Sequence, residues 1–224
     1  MSIAIKICGI TTPADALQAA DLGATHLGLN FYAGSPRAVN FFQAQAISRA
    51  VRLRQNPPVL VGVFVNEDPS VMQAALDYAY LDLAQLSGDE PPEVFDALAG
   101  RAYRAYRLAP GEALTPTQVR PAPPALLLDA NLKGQYGGTG HTTDWSTAAV
   151  LARHYPLFLA GGLTPANVAD AITAVQPWGV DVASGVESAP GVKDPEKLAA
   201  FIAAVQRISP PAPPPQKTRN GTGD

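Results

Sequence analysis

Cys8 is the single cysteine of the chain, and it stands between the apolar run Ile3–Ile7 and Gly9. A thiol there can act as a base or a nucleophile if nearby positive charge lowers its pKa. Lys6, two residues earlier, projects to the same side of an extended strand. The plainer reading is a small buried apolar residue, the common state of an unpaired cysteine. Asp129 closes the run Leu126-Leu127-Leu128. A carboxylate at the end of an apolar strand is costly to bury without a purpose or a partner. Partial desolvation raises such a pKa, so Asp129 can hold a proton and act as a general acid, or it can cap the loop that follows. A thiol base and a carboxylic acid together suit proton-transfer chemistry.

A second group of residues fits an anion. Gly161-Gly162 follows an apolar strand and Ser184-Gly185 follows the last one. Glycine lets backbone N–H groups approach a phosphate closely, although glycines also serve simple tight turns. Arg37, after Ser35-Pro36, can hold a carboxylate through two parallel hydrogen bonds, or it is a solvated loop charge. Asp77, Asp82, Asp89 and Glu90 read as solvated residues or caps. His26, His141 and His154 lack metal-ligand spacing. His26 and His154 read as structural, and His141 sits in a glycine-rich loop. One cysteine excludes an intrachain disulfide and a cysteine-based zinc or iron–sulfur site. No G-x-G-x-x-G follows the first strand and no Walker motif is present, which weighs against a doubly wound nucleotide-binding sheet.

The elements that must position these residues follow from hydrophobic patterning. Eight short apolar runs recur, at Ile3–Ile7, His26–Phe31, Val59–Val65, Leu81–Leu86, Ala102–Arg107, Ala125–Leu128, Leu157–Ala160 and Gly179–Ala183. They show little polar alternation, as in parallel strands covered on both faces. Thr12-Pro13, Asp68-Pro69, Thr164-Pro165 and Asp194-Pro195 each offer a capping side chain followed by proline at the first helical position. Eight strand–helix units over residues 1–208 predict a single closed (β/α)8 barrel, with a doubly wound open sheet as the alternative. Prolines and Gly111 in segment 108–124 leave the helix after the fifth strand short or missing. Residues 209–224 read as a disordered Pro-rich tail. In a barrel, chemistry belongs at the C-terminal ends of the strands, where Cys8, Asp129 and both glycine pairs fall.

Lys plus Arg total 16 against 19 Asp plus Glu, a net charge of -3. That balance argues against nucleic acid or an anionic membrane as partner. No export signal or spanning segment is visible, and the lone thiol fits a reducing, cytoplasmic setting.

Taken in order, Lys6-Ile7-Cys8-Gly9-Ile10-Thr11, Ser35-Pro36-Arg37, Gln85-Leu86-x-Gly88-Asp89-Glu90, Gly137-Gly138-Thr139-Gly140 with Asp144-Trp145, Leu159-Ala160-Gly161-Gly162-Leu163 and Val182-Ala183-Ser184-Gly185-Val186-Glu187 resemble phosphoribosylanthranilate isomerase over about residues 3–206. The resemblance implies an Amadori rearrangement in tryptophan biosynthesis, with a small phosphoribosyl substrate, no cofactor and a monomer or homodimer. It implies Cys8 as general base and Asp129 as general acid. It further implies Arg37 on the anthranilate carboxylate, Gly161, Gly162, Ser184 and Gly185 on the phosphate, Gly138, Thr139 and Gly140 as a cover, and Asp181 reaching the site. The chain departs from the family pattern at Ser87, where histidine is common, and at Thr143, where phenylalanine is frequent. The competing readings are another phosphosugar barrel, such as an aldolase using a Schiff-base lysine, and a phosphate-binding protein without catalysis.

Overall fold

Each of the eight apolar runs forms a strand in the computed structural model, which describes residues 3–107, 119–129 and 145–208. The strands are β1 (Ala4–Cys8), β2 (His26–Asn30), β3 (Val59–Phe64), β4 (Leu83–Leu86), β5 (Ala102–Arg107), β6 (Leu126–Asp129), β7 (Leu157–Leu159) and β8 (Gly179–Val182). Each pairs in parallel with the next. β8 closes on β1, with Ala4 opposite Gly179 and Lys6 opposite Asp181. The result is the closed (β/α)8 barrel, not an open sheet. The cover residues Gly138, Thr139 and Gly140, the loop histidine His141, segment 108–118 after β5 and the tail 209–224 lie outside the described residues.

The connecting helices are α1 (Pro13–Leu22), α2 (Phe41–Arg52), α3 (Pro69–Tyr78), α4 (Pro92–Ala97), α5 (Trp145–Ala152), α6 (Val168–Val175) and α7 (Pro195–Gln206). Three of the four Pro-marked starts fall where expected. Thr12 accepts from the Asp15 amide, Asp68 from the Ser70 amide, and Asp194 from the Glu196 and Lys197 amides. Each such cap is worth about 1 kcal/mol.

The fourth start is displaced. After Thr164-Pro165 the chain makes a turn, and α6 begins only at Val168. Asn167 explains the delay, because its Oδ1 accepts from the Thr164 amide and its Nδ2 donates to the Gly162 carbonyl. These bonds fold residues 162–167 back toward the end of β7 before the helix can begin. α2 starts from a capping box of Asn40 and Gln43, a pattern readable in the sequence as Asn-x-x-Gln. A short hairpin, β9 (Glu187–Ala189) and β10 (Val192–Lys193), interrupts the connection from β8 to α7.

Two apolar layers follow from the period of two along each strand. Outward residues such as Ile5, Ile7, Leu27, Leu29, Leu60, Leu126 and Leu128 pack under the helices. Inward residues Ala4, Val61, Leu83, Tyr103, Leu127, Phe158 and Ala160 fill the barrel. The alternation puts Lys6 and Cys8 on the inner side of β1 in line with Ala4, and Asp129 on the inner side of β6 in line with Leu127.

At the N-terminal end of β2, His26 is buried, with Nδ1 2.8 Å from Thr25 Oγ1 and its ring edge-on to Phe158 and Trp178. Burial, aided by the charge of Lys6 and only partly opposed by Asp82, lowers its pKa from 6.5 to about 4. Between those values the unfolded chain binds a proton that the folded chain refuses, so stability falls as pH drops from 6.5 toward 4. The expected loss attributable to this group is about 3 kcal/mol. Urea unfolding at pH 7 and pH 4 checks this in the parent and in His26→Phe. The variant should lose correspondingly less stability over that interval, and an identical pH slope in both proteins would contradict the assignment.

Candidate active site

At the floor of the barrel mouth the side chains become charged. Lys6 is fully buried, and its Nζ donates to Asp181 Oδ1 at 2.9 Å across the β1–β8 seam. The same ammonium lies beside the Cys8 sulfur, and both border Gly28. The neighbouring strand leaves room for this group, because Gly28 lies opposite Cys8 in the register. A Cβ at Gly28 would sit 2.8 Å from Cys8 Sγ and 3.1 Å from Lys6 Nζ. Beside this group, Tyr103 donates to Gln85 Oε1 at 2.9 Å, and Gln85 donates to Ser87 Oγ at 3.0 Å. Ser87 therefore completes a buried chain of hydrogen bonds beside the Lys6–Asp181 pair.

Electrostatics assign protonation states to this floor. Burial alone would lower the Lys6 pKa, but Asp181, Cys8 and Tyr103 outweigh it, and the net shift is upward. Lys6 stays an ammonium and is not the neutral amine that a Schiff-base aldolase needs. For Cys8 the balance runs the other way. Burial and Asp181 push the thiol up, and Lys6 and Lys193 pull it down without overcoming them. The sequence reading invoked positive charge to lower this pKa. The charge is present, but desolvation outweighs it.

Above the floor, one cleft brings together Cys8, Arg37, Asp129, Gly161, Gly162, Asp181, Ser184 and Gly185. Cys8 ends β1 and Asp129 ends β6, with β7 and β8 between them on one side. The loops after β7 and β8 touch. A Cβ on Gly185 would clash with the Leu163 carbonyl oxygen, so a residue with a side chain there must displace backbone. Gly161 and Gly162 both have positive φ, 93° and 64°. The 3-10 turn Ser184–Val186 carries the other half of this rim.

Arg37 is not a solvated loop charge. Its Nε and Nη2 grip the carboxylate of Glu187, and the head still lines the cleft. Glu90 is likewise not solvated, since it is buried and accepts from the Asn66 and Gly88 amides. Asn30, Tyr32 and Arg107, to which sequence reasoning gave no role, also line the cleft. Asn30 and Arg107 each end a strand, the position that also marks Cys8 and Asp129.

Comparison with known proteins bears on what such a cleft does. A family model described as N-(5'phosphoribosyl)anthranilate (PRA) isomerase matches residues 5–204. The N-(5'-phosphoribosyl)anthranilate isomerase of Magnetococcus marinus is 47% identical over 209 residues, covering 92% of this chain and 97% of that protein. The crystal structure of phosphoribosyl anthranilate isomerase from Thermotoga maritima superposes with a TM-score of 0.79 at 36% identity, covering 92% of this chain and 100% of that one. A phosphoribosyl anthranilate isomerase in complex with reduced 1-(o-carboxyphenylamino)-1-deoxyribulose 5-phosphate superposes with a TM-score of 0.74 at 33% identity, again over 92% and 100% of the two chains.

The charge balance around Cys8 is open to direct measurement. Alkylation of the free protein by iodoacetamide should follow a titration above the ordinary thiol range. Lys6→Met should move that titration higher still, because it removes a charge that favours the thiolate. A profile that Lys6→Met leaves in place, in a variant with the parent's circular dichroism, would contradict the Lys6–Cys8 coupling.

Proposed function

The chain belongs to the N-(5′-phosphoribosyl)anthranilate isomerase family, and from that premise we propose how its own residues carry out the reaction. The enzyme converts N-(5-phosphoribosyl)anthranilate to 1-(2-carboxyphenylamino)-1-deoxyribulose 5-phosphate, an aldose–ketose isomerisation in tryptophan biosynthesis. The observation that carries the residue assignment is the convergence of a strand-end thiol, a strand-end carboxyl, an arginine and two touching glycine loops on one cleft.

The phosphate rests on Gly161, Gly162, Ser184 and Gly185, whose backbone N–H groups and hydroxyl supply donors without bringing a counter-charge. Arg37 holds the anthranilate carboxylate at the other end. With both ends fixed, the ribose lies between β1 and β6. Asp129 gives its proton to the ring oxygen. The C1′–O4′ bond breaks toward oxygen, and the nitrogen lone pair forms the C1′=N iminium. The Cys8 thiolate then removes the C2′ proton, and that electron pair becomes the C1′=C2′ bond of an enolamine as the iminium electrons return to nitrogen. Protonation at C1′ and loss of the enol proton give the ketose.

Burial holds the free thiol protonated, so only a fraction of the resting enzyme carries the base. The iminium supplies positive charge beside Cys8 when the base is needed, and it adds to the pull of Lys6. Asp181 neutralises Lys6 and keeps the floor from repelling that cation. A reducing, cytoplasmic setting fits a reaction that depends on a free thiol.

Loss of anthranilate fluorescence measures turnover. Cys8→Ser and Asp129→Asn should each retain the fold and slow kcat by about 10²- to 10⁴-fold, the usual contribution of a positioned acid or base. Turnover within about threefold of the parent in either variant would remove that residue from the mechanism. Gly185→Ala should instead raise KM, since it drives the two phosphate loops apart.

A further inference from the structure

Arg37 has five N–H donors, and the structure commits its side-on edge to another residue of the chain. Nε donates to Glu187 Oε1 at 2.9 Å and to Oε2 at 3.2 Å, and Nη2 donates to Oε2 at 2.7 Å. Among the described residues no partner takes the Nη1 hydrogens, so the Nη1–Nη2 edge keeps a parallel pair of donors on a head that lines the cleft. A guanidinium gripped along one edge cannot turn, and its remaining edge is aimed.

Glu187 is itself fixed from behind. Its carboxylate is almost wholly buried and accepts from Lys193 Nζ at 2.8 Å. Its backbone carbonyl accepts from Lys197 Nζ at 2.8 Å. Lys193, fully buried in its side chain, also donates to the carbonyls of Cys8 at 2.6 Å and Ala183 at 3.3 Å. The hairpin β9–β10 thus ties the backbone of the proposed base and the head of the proposed carboxylate ligand to one buried anion. The charges also sum usefully. Arg37 and Glu187 alone cancel, and Lys193 leaves the trio at one net positive charge, so a substrate carboxylate completes it to zero.

We propose that Glu187, held by Lys193, is a positioning residue that presents the free edge of Arg37 to the substrate carboxylate and so sets specificity for a planar carboxylate at that end. This rests on the isomerase reading and adds to it residues that act through Arg37 without touching the substrate.

A double-mutant cycle tests it, with KM and kcat measured alongside the dissociation constant of the reduced product analogue. Glu187→Ala should raise KM and the dissociation constant by about tenfold while kcat changes by less than about threefold, the pattern of lost ground-state binding. In an Arg37→Ala background the same substitution should add no further rise. Should Glu187→Ala leave a lone buried ammonium and fail to fold, Glu187→Ala/Lys193→Met removes both charges and should show the same cycle in the dissociation constant, with kcat falling as well because Lys193 no longer holds the Cys8 carbonyl. An equal rise in both backgrounds, or binding within twofold of the parent, overturns the proposal while parent turnover leaves the isomerase reading intact. A parent that neither binds the analogue nor turns over substrate overturns both.

Discussion

The ion pair between Lys6 and Asp181 holds this site together. It spans the seam where β8 meets β1, so the contact that closes the barrel also forms the floor of its cleft. A fully buried ammonium is tolerable only because its partner is near and correctly placed, and removal of either member of such a pair costs about 3–5 kcal/mol. Below this level the barrel is filled by apolar side chains such as Val61, Leu83, Leu127 and Phe158. In the cleft itself polar side chains such as Cys8, Gln85 and Asp129 stand among apolar ones such as Val63 and Leu127.

Cys8 is held from two directions by two lysines with different duties. Its sulfur faces Lys6, and its backbone carbonyl accepts from Lys193. Lys6 biases the proton on the sulfur, and Lys193 fixes the backbone that aims it. Each lysine has its own carboxylate, Asp181 for the first and Glu187 for the second. Asp181 cancels Lys6, and Glu187, shared between Lys193 and Arg37, leaves a single net positive charge, so two lysines approach the thiol without making the cleft strongly basic. That restraint suits a reaction whose intermediate is itself a cation.

Much of the barrel was legible because parallel strands buried on both faces read as unbroken apolar runs, and every run became a strand with its ends shifted by two residues or fewer. Cys8, for instance, ends β1 and does not lie just beyond it. Local helix signals were readable wherever a side chain and a proline act within one turn, as at Asp194-Pro195. They misled at Thr164-Pro165, because Asn167 folds back on Gly162, a choice fixed by the end of β7 and not by propensity. The strand-end rule selected the thiol, the carboxyl and the glycine loops. It gave no role to Glu187, which follows β8, and it passed over Lys193. A charged residue is by default at the surface, and the partner that buries Glu187 lies 150 residues away in the chain.

The central claim is that Cys8 and Asp129 address one sugar from the ends of β1 and β6. A crystal structure of this protein with the reduced product analogue tests it most directly. The account predicts phosphate on the Gly161–Gly162 and Ser184–Gly185 loops, the carboxylate on Arg37, and both the Cys8 sulfur and an Asp129 oxygen within about 3.5 Å of ribose-derived atoms. An analogue seated with its phosphate elsewhere, or with either group out of reach of the sugar, would contradict it.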